Sequence, residues 1–360
     1  MKTHNFGAGP AVLPESVYNE TADAIKNFNG TGLSLLEISH RSSHFEKIIR
    51  EAEELLRELL SINKNYTVMF LAGGASQHFA QIPLNFLEQN DHAAYLDTGV
   101  WASNAIKEAQ YYGKIHIAAS GKEDSYNSIP EYISIPKNCV YFHYTSNNTI
   151  YGTTQYEVPR TGVPVICDMS SDILSSRIDV ERFDMIYASA QKNAGPAGVS
   201  IVIVKNSMLE KITKKIPNVF NYAVLAAHKS VYNTPPVFSI YSTLLNLRWI
   251  KAQGGLNEME KRNIEKSSIL YNEIDRNSLF SGIVTHSKQR SRMNVTFLLN
   301  NPAYENDFLS FTSQRNIAGI KQYQGHAGFR ASLYNALSID SVKELVRAMQ
   351  DYEIHIRKHF

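Results

Sequence analysis

Apolar positions recur at two different spacings along this 360-residue chain. In residues 44–62, apolar side chains return every three or four residues with charged side chains between them. This spacing predicts an amphipathic helix, which Ser42 or Ser43 can cap. Short continuous apolar runs, rich in β-branched and aromatic residues, predict buried strands instead. These runs cover residues 66–72, 93–97, 139–145, 163–169, 185–190 and 199–205.

The strand-like runs are separated by turns and by helical segments. Residues 66–72, for example, lead through Gly73 and Gly74 into an expected helix at 77–89. Strands that alternate with helices and are apolar throughout favour an α/β fold with a doubly wound, mostly parallel sheet. Because such sheets bind ligands at the carboxyl ends of their strands, we expect the functional site there.

The second part of the chain has a different pattern. Residues 240–276 predict one or two long helices, and Gly254 with Gly255 is a candidate hinge between them. A strand at 294–300 and an amphipathic helix at 341–356 follow. We therefore predict a large domain over residues 16–255 and a smaller α+β domain over residues 256–360.

Composition narrows the function classes. The net charge of +2 argues against a dedicated nucleic-acid surface. The amino-terminal segment lacks the apolar run of a signal peptide, and no run is long enough to predict a membrane span. Cys139 and Cys167 lie in apolar runs, which predicts buried thiols and neither a zinc site nor a disulfide framework. We expect a cytoplasmic protein without a metal.

One lysine has a distinctive setting. Lys192 lies between the runs 185–190 and 199–205, in a turn with several glycines, and Asp168 ends the run 163–169. Pyridoxal phosphate requires an amine to form a Schiff base and an acid to keep its pyridine nitrogen protonated. A single lysine beside a turn is more often simply exposed, and Asp168 could instead cap a helix. Gly195 and Gly198 imply that something approaches this backbone closely.

Motifs along the whole chain strengthen that interpretation. The sequence resembles the phosphoserine aminotransferase family, whose members are dimers with the pyridoxal-phosphate aspartate-aminotransferase fold. The matching stretches, in family order, are NFGAGPAVLP (5–14), LSLLEISHRS (33–42), LAGGASQHF (71–79), DTGVWA (97–102), NNTIYGT (147–153), CDMSSDILS (167–175), AQKNAGPAG (190–198), NTPPVFSIY (233–241) and FRASLYNAL (329–337). The resemblance implies that residues 1–15 join the smaller domain.

The resemblance also implies a reaction. It is transamination between L-glutamate and 3-phosphohydroxypyruvate, which gives O-phospho-L-serine and 2-oxoglutarate in serine biosynthesis. Use of 4-phosphohydroxythreonine in pyridoxine biosynthesis stays open. Lys192 and Asp168 become the catalytic residues, and the catalytic lysine carries the cofactor covalently while the aspartate pairs with its ring nitrogen.

The remaining cofactor residues follow from the same resemblance. Trp101 stacks on the cofactor ring, Thr149 lies near its phenolic oxygen, and Gln191 adds a side-chain donor. Ala75 and Ser76 bind the cofactor phosphate at a helix amino terminus, where free N–H groups favour anions. A GGAS turn alone is a weak signal, and an isolated tryptophan usually belongs to the core.

Two further groups complete the expected site. The resemblance implies that Asn233 and Thr234 reach the cofactor phosphate of the other subunit, and we therefore expect a homodimer with shared active sites. On local sequence alone, this pair reads as a rigid turn before Pro235 and Pro236. By the same resemblance, we expect Arg330 to bind the substrate α-carboxylate, and Arg41, with His40 beside it, to lie near the distal acidic group.

One stretch departs from the family pattern. Tyr323 and Gln324 occupy positions where the family usually has the histidine and arginine that bind the substrate phosphate, and many members have arginine at the position of Ser76. Either Lys321 or His326 compensates, or the substrate is an unphosphorylated 2-oxo acid. A non-catalytic protein that binds a phospholigand is a third alternative.

Overall fold

The structure, a computed structural model, describes residues 3–323 and 325–359. Strands and helices alternate through much of this part of the chain. The strands are β1 His4–Asn5, β2 Tyr66–Ala72, β3 His92–Asp97, β4 Lys114–Ser120, β5 Cys139–Thr145, β6 Val165–Asp168, β7 Met185–Ser189, β8 Val199–Lys205, β9 Phe280–Gly282, β10 Asn294–Leu299, β11 Ile317–Ala318 and β12 Phe329–Ser332. The helices are α1 Glu15–Lys26, α2 Ser43–Leu60, α3 Ala75–Phe86, α4 Val100–Ala109, α5 Asn206–Leu209, α6 Tyr222–Ala227, α7 Val237–Ala252, α8 Gly255–Arg276, α9 Glu305–Ser313 and α10 Ile339–His359.

A seven-stranded sheet occupies the centre of the larger part. Its strand order is β2-β8-β7-β6-β5-β3-β4. The pairs from β4 to β7 are all parallel, whereas β8 lies antiparallel between β7 and β2. The predicted α/β class with a mostly parallel sheet is therefore confirmed.

Both faces of this sheet are buried, which explains why its strands are apolar throughout. In β2, Val68 and Phe70 pack into a core on one face, together with α2 and α7. Met69 and Leu71 point to the other face and pack with α3 and α4. Cys139 and Cys167 are buried, as their apolar neighbours predicted.

A separate core lies in the second part of the chain. The antiparallel sheet β12-β10-β9 packs there with α10 and the last turns of α8. Phe6 joins the same core, next to β1, which pairs with β11. The first turns of α8, by contrast, place Leu256 and Met259 in the core of the large sheet. The domain boundary at residues 255 and 256 stays a prediction.

Local signals explain several element ends. The Ser42 hydroxyl accepts a hydrogen bond from the Phe45 N–H, which caps α2 as predicted. A break at Gly254, whose φ is 99°, separates α7 from α8 at the predicted hinge position. In the described residues, no helix combines the length and the apolar character that a membrane span requires.

Candidate active site

A cavity of about 140 Å³ opens at the carboxyl ends of the central strands. It contains seven of the nine residues that the sequence assigns to the cofactor. These are Ala75, Ser76, Trp101, Thr149, Asp168, Gln191 and Lys192. Parallel strands bring them together because β5, β6 and β7 all end at this edge of the sheet.

Lys192 follows β7 and reaches into this cavity. Its Nζ donates a hydrogen bond to Thr149 Oγ1 at 2.8 Å. Burial lowers the pKa of Lys192 to about 8, and the charge of Arg330 adds to this effect while Asp168 and Asp172 oppose it. A substantial fraction of the amine is therefore neutral near physiological pH and able to act as a nucleophile or base.

The glycines beside Lys192 do have a close neighbour, but it is a helix and not a ligand. A Cβ on Gly195 would lie 3.1 Å from the Cα of Thr243 in α7. Only glycine allows α7 to pack this tightly on the turn that carries Lys192. The sequence prediction of a close approach is correct, and its cause is helix packing.

Asp168 ends β6 and is buried. Its Oδ1 accepts hydrogen bonds from the Ser170 N–H at 2.9 Å and the Ser170 hydroxyl at 2.6 Å. The alternative that Asp168 caps a helix is wrong, because residues 170–174 form turns. Burial raises the pKa of Asp168, whereas the two bonds from Ser170 and the charge of Lys192 lower it.

Ser170 is a residue that sequence reasoning missed. Besides binding Asp168, its Oγ accepts the Ser189 N–H at 3.0 Å, and Ser189 Oγ in turn accepts the Ala75 N–H at 2.6 Å. This chain of bonds connects the acid at one end of the cavity with the start of α3 at the other. Nothing in the local sequence after Asp168 distinguishes it from an ordinary polar turn.

The start of α3 has the predicted form. Gly74 precedes the helix and provides no side-chain cap, and the Gln77 N–H donates to the Gly74 carbonyl at 3.0 Å. A Cβ on Gly74 would lie 3.0 Å from Ser189 Oγ, which favours glycine there. The Ala75 N–H is bonded to Ser189, while Ser76 is exposed.

Some buried polar atoms in the cavity wall have no partner within the described residues. They include Trp101 Nε1 and Thr145 Oγ1. Arg330, which lies in β12, leaves its Nε unpaired as well and donates from Nη1 to the Thr149 carbonyl at 3.5 Å. Such atoms cost free energy unless a ligand or water satisfies them, so this is a site built to receive polar groups.

Five predicted residues do not line the cavity in the single chain. One of them, Arg330, contacts its wall at the Thr149 carbonyl. Asn233 and Thr234 are exposed, in the segment before α7. Arg41 is also exposed and His40 is half-buried, both just before α2. The assignment of these five residues stays a prediction.

The segment that departs from the family pattern lies next to Arg330. Tyr323 is half-exposed, and its charge interaction tends to raise the pKa of Arg330, although burial lowers that pKa overall. The His326 ring contacts the Tyr151 ring edge-on, with centroids 5.3 Å apart, and Lys321 is exposed. Gln324 lies outside the described residues.

Comparison with known proteins identifies the family. The sequence model described as aminotransferase class-V matches residues 3–345. The chain belongs to the class-V aminotransferase family. A curated relative of this aminotransferase is the phosphoserine aminotransferase of Bacteroides thetaiotaomicron, which is 51% identical over 98% of this chain and 99% of its own length.

Solved structures agree with that family. The phosphoserine aminotransferase of Bacillus circulans subsp. alkalophilus superposes on this aminotransferase with a TM-score of 0.96 at 40% identity, over 98% of this chain and 99% of that chain. The phosphoserine aminotransferase of Trichomonas vaginalis, solved with pyridoxal phosphate bound, gives a TM-score of 0.91 at 34% identity, over 97% and 100%. The predictions of an aminotransferase and of pyridoxal phosphate as its cofactor are confirmed, and the non-catalytic alternative is excluded.

The residues of the cavity fit this cofactor. Lys192 provides an amine with a lowered pKa, and Asp168 provides a fixed carboxylate. The start of α3 provides a helix amino terminus, which favours a phosphate, and Trp101 provides an aromatic face.

Proposed function

We propose that this aminotransferase transfers the amino group of L-glutamate to 3-phosphohydroxypyruvate, and that it does so as a homodimer with shared active sites. The observation that carries the proposal is the meeting of Lys192, Asp168 and Arg330 at one site in a chain about half identical to phosphoserine aminotransferases. When bound, pyridoxal phosphate supplies an electron sink that stabilises negative charge on the substrate α-carbon.

Lys192 is proposed to move the proton. Its Nζ is fixed by Thr149 Oγ1 at one side of the cavity, and its lowered pKa of about 8 allows it to exist as a base. A general base close to the working pH both accepts and returns a proton readily. Lys192 is therefore suited to remove the proton from the substrate α-carbon and, with the cofactor bound, would deliver it to the cofactor carbon C4′.

Asp168 is proposed to pair with the ring nitrogen of the cofactor. Among the described residues, both side-chain hydrogen bonds of Asp168 use Oδ1, so Oδ2 is available to face the ring. The Ser170 hydroxyl and N–H fix the plane of the carboxylate before the cofactor arrives. Such preorganisation lowers the cost of ordering the site.

Arg330 is proposed to bind the α-carboxylate that donor and acceptor share. Its guanidinium is buried, its Nε has no partner among the described residues, and its bond to Thr149 O is long. A carboxylate that accepts hydrogen bonds from two N–H groups of this guanidinium would pair with its positive charge. By the same reasoning, we propose that Arg41 and His40 bind the distal acidic group of the substrate.

Two observations support the homodimer. The residues assigned to the cofactor of the other subunit, Asn233 and Thr234, are exposed at the surface of one chain. Large apolar side chains are also exposed before each of the two pairs in the chain, namely Leu33 and Leu36 before His40 and Arg41, and Val219 and Phe220 before α6. Apolar surface of this kind is typical of an interface. A cytoplasmic location stays a prediction.

The acceptor can be tested directly. Purified enzyme with glutamate as donor should give a higher kcat/KM with 3-phosphohydroxypyruvate than with unphosphorylated 2-oxo acids of similar length. The Lys192→Ala variant is the control for background turnover. A preference for an unphosphorylated acceptor would overturn this assignment and favour the alternative that Tyr323 and Gln324 raise.

A double variant examines the unusual segment. Tyr323→His with Gln324→Arg should lower the KM for the phosphorylated acceptor by about tenfold, roughly 1.4 kcal/mol, because imidazolium and guanidinium are stronger phosphate donors than phenol and amide. Its KM for glutamate should change little. An unchanged KM for the phosphorylated acceptor would mean that groups such as His326 or Lys321 already bind the phosphate.

A further inference from the structure

A second acidic side chain lies behind the candidate site, four residues beyond Asp168. The Ser146 hydroxyl is 2.5 Å from Asp172 Oδ1 and 3.1 Å from the backbone oxygen of Asp168. The Ser146 N–H donates to the same Asp168 oxygen at 3.0 Å. One serine therefore connects the carboxylate of Asp172 to the main chain of Asp168.

The hydroxyl of Ser146 has a single proton, so it cannot satisfy both acceptors fully. When Asp172 is ionised, the short contact favours donation to the carboxylate. When Asp172 is protonated, its own O–H can donate to Ser146, and the Ser146 hydroxyl is then released to the Asp168 carbonyl. The protonation of Asp172 thus decides which bonds hold the end of β6.

Asp172 faces a cavity different from the one that contains Lys192. This rear cavity has a volume of about 380 Å³, and Asn147 lines both cavities. The charged side chains around the rear cavity, besides Asp172, are Arg177, Arg182, Arg292, Glu157, Asp179 and Glu260. Arg292 pairs with Glu260 at 2.9 Å, and Arg182 donates to the Val158 carbonyl at 2.7 Å.

The side chains that act on the pKa of Asp172 lie at or just after the ends of β5, β6 and β7. Burial raises the pKa of Asp172 to about 7, and the charge of Asp168 adds to this, while Ser146 and Lys192 lower it. The charge of Asp172 in turn raises the pKa of Lys192. Its other titratable neighbours have pKa values raised by burial and stay neutral, namely Tyr144, Tyr156, Cys167 and Tyr334.

We propose that Asp172 is a positioning residue for the cofactor end of the site: through Ser146 it holds the Asp168 main chain, and its carboxylate stabilises positive charge on nitrogen in the cavity, above all on Lys192. Asp172 does not itself line the Lys192 cavity, so it acts through these neighbours. The inference does not depend on which acceptor the enzyme uses.

Three variants test the proposal without measuring turnover. Asp172→Asn keeps an acceptor for Ser146 and removes the charge. Ser146→Ala keeps the carboxyl group and removes its hydrogen bond. Glu157→Gln removes an exposed charge from the wall of the same rear cavity and is the matched control.

The readout is the titration of Lys192 in cofactor-free, full-length protein. Competitive acetylation at a series of pH values, followed by peptide mass spectrometry, gives the pKa of this amine. The pH midpoint of the cofactor absorbance in the loaded enzyme gives a second measurement at the same site.

Asp172→Asn should lower the pKa of Lys192 by about 0.5, which is less than a directly paired carboxylate would give. Ser146→Ala should shift it in the same direction by less, because loss of the hydrogen bond leaves Asp172 less ionised. Glu157→Gln should leave it unchanged. If Asp172→Asn does not fold, the downward shift in Ser146→Ala alone carries the test.

The contrary results are equally clear. An unchanged or raised pKa of Lys192 in Asp172→Asn would overturn the proposal, as would an unchanged value in Ser146→Ala. An equal shift in Glu157→Gln would also overturn it, because the effect would then be a general one of surface charge.

Discussion

Among the described residues, the Lys192 amine has one hydrogen-bond partner, the hydroxyl of Thr149. Its pKa of about 8 is lowered from the ordinary lysine value by burial, which disfavours the charged form. Below this pH the amine is mostly in its protonated form, which cannot attack an aldehyde. Above it the amine is mostly in its neutral, nucleophilic form.

This gives a pH-dependent prediction for cofactor capture. The rate at which cofactor-free protein binds pyridoxal phosphate covalently should rise up to about tenfold per pH unit below 8 and level off above it. Stopped-flow absorbance would measure the rate, and Lys192→Ala should lack the covalent phase. A rate that keeps rising towards pH 10 would show that Lys192 has the pKa of an exposed lysine.

For single residues, the sequence predicts a role where the side chain has distinctive chemistry. It does not predict a role that depends on contacts with residues distant in the chain. Lys192 and Asp168 could be predicted because an amine and an acid at strand ends suit one cofactor. Ser170 and Asp172 follow Asp168 in an ordinary polar turn. Their roles appear only when β5 and β7 bring Ser146 and Ser189 beside them.

Among the elements, burial decides which strands the apolar pattern predicts. The strands β5 and β8 have the bounds that their apolar runs predict, because both faces of each are covered. The edge strand β4 was missed, since much of it is exposed and its sequence lacks a continuous apolar run. The strand β12 was also missed, because Arg330 lies at its centre where a core residue would be expected.

The long helix α8 supports β12 through a buried lysine. Lys266 Nζ donates to the carbonyl oxygens of Leu333, Tyr334 and Leu337 at 2.9, 2.7 and 3.2 Å. These carbonyls follow directly after the strand that carries Arg330. Lys266 therefore provides a hydrogen-bond donor for the backbone carbonyls of the turn after β12.

Removing this amine should be costly. Lys266→Met leaves three acceptors without their donor, so we expect a loss of about 2–4 kcal/mol in the free energy of unfolding. Thermal melts should show a melting temperature several degrees lower. Lys261→Met, at an exposed position of the same helix, should behave like wild type. Equal melting temperatures for both variants would contradict this role of Lys266.

For the whole molecule, a buried polar group joins the two parts of the chain. Asn147 Nδ2 donates to Ser171 Oγ and to Asn294 Oδ1, both at 2.8 Å. Asn294 Nδ2 in turn donates to Ser332 Oγ and Tyr334 OH at 3.1 Å. The sheet that carries Asp168 and the sheet that carries Arg330 are thereby fixed relative to each other, which sets the spacing between the cofactor and substrate ends of the site.

The proposed homodimer makes a prediction at the same scale. Lys192→Ala and Thr234→Ala should each be inactive alone, whereas a mixture should form heterodimers with one complete site. At equal amounts and random pairing, about a quarter of wild-type activity should return, because half of the dimers are mixed and each has one complete site of two. Subunit exchange should be verified by native mass spectrometry. No recovery after verified exchange would argue against sites shared between subunits.

The pairing of β2 with β8 has a consequence for synthesis on the ribosome. Tyr66 pairs with Lys205, so about 140 further residues must be synthesised after β2 before its partner strand β8 is complete. At about 5–20 residues per second, this interval lasts about 7–28 s. Throughout it, an apolar strand with unpaired backbone groups is open to aggregation, which makes the nascent chain a natural client for chaperones. Limited proteolysis of stalled chains of increasing length should find β2 protected only after β8 has emerged, and earlier protection would show that another segment shields it.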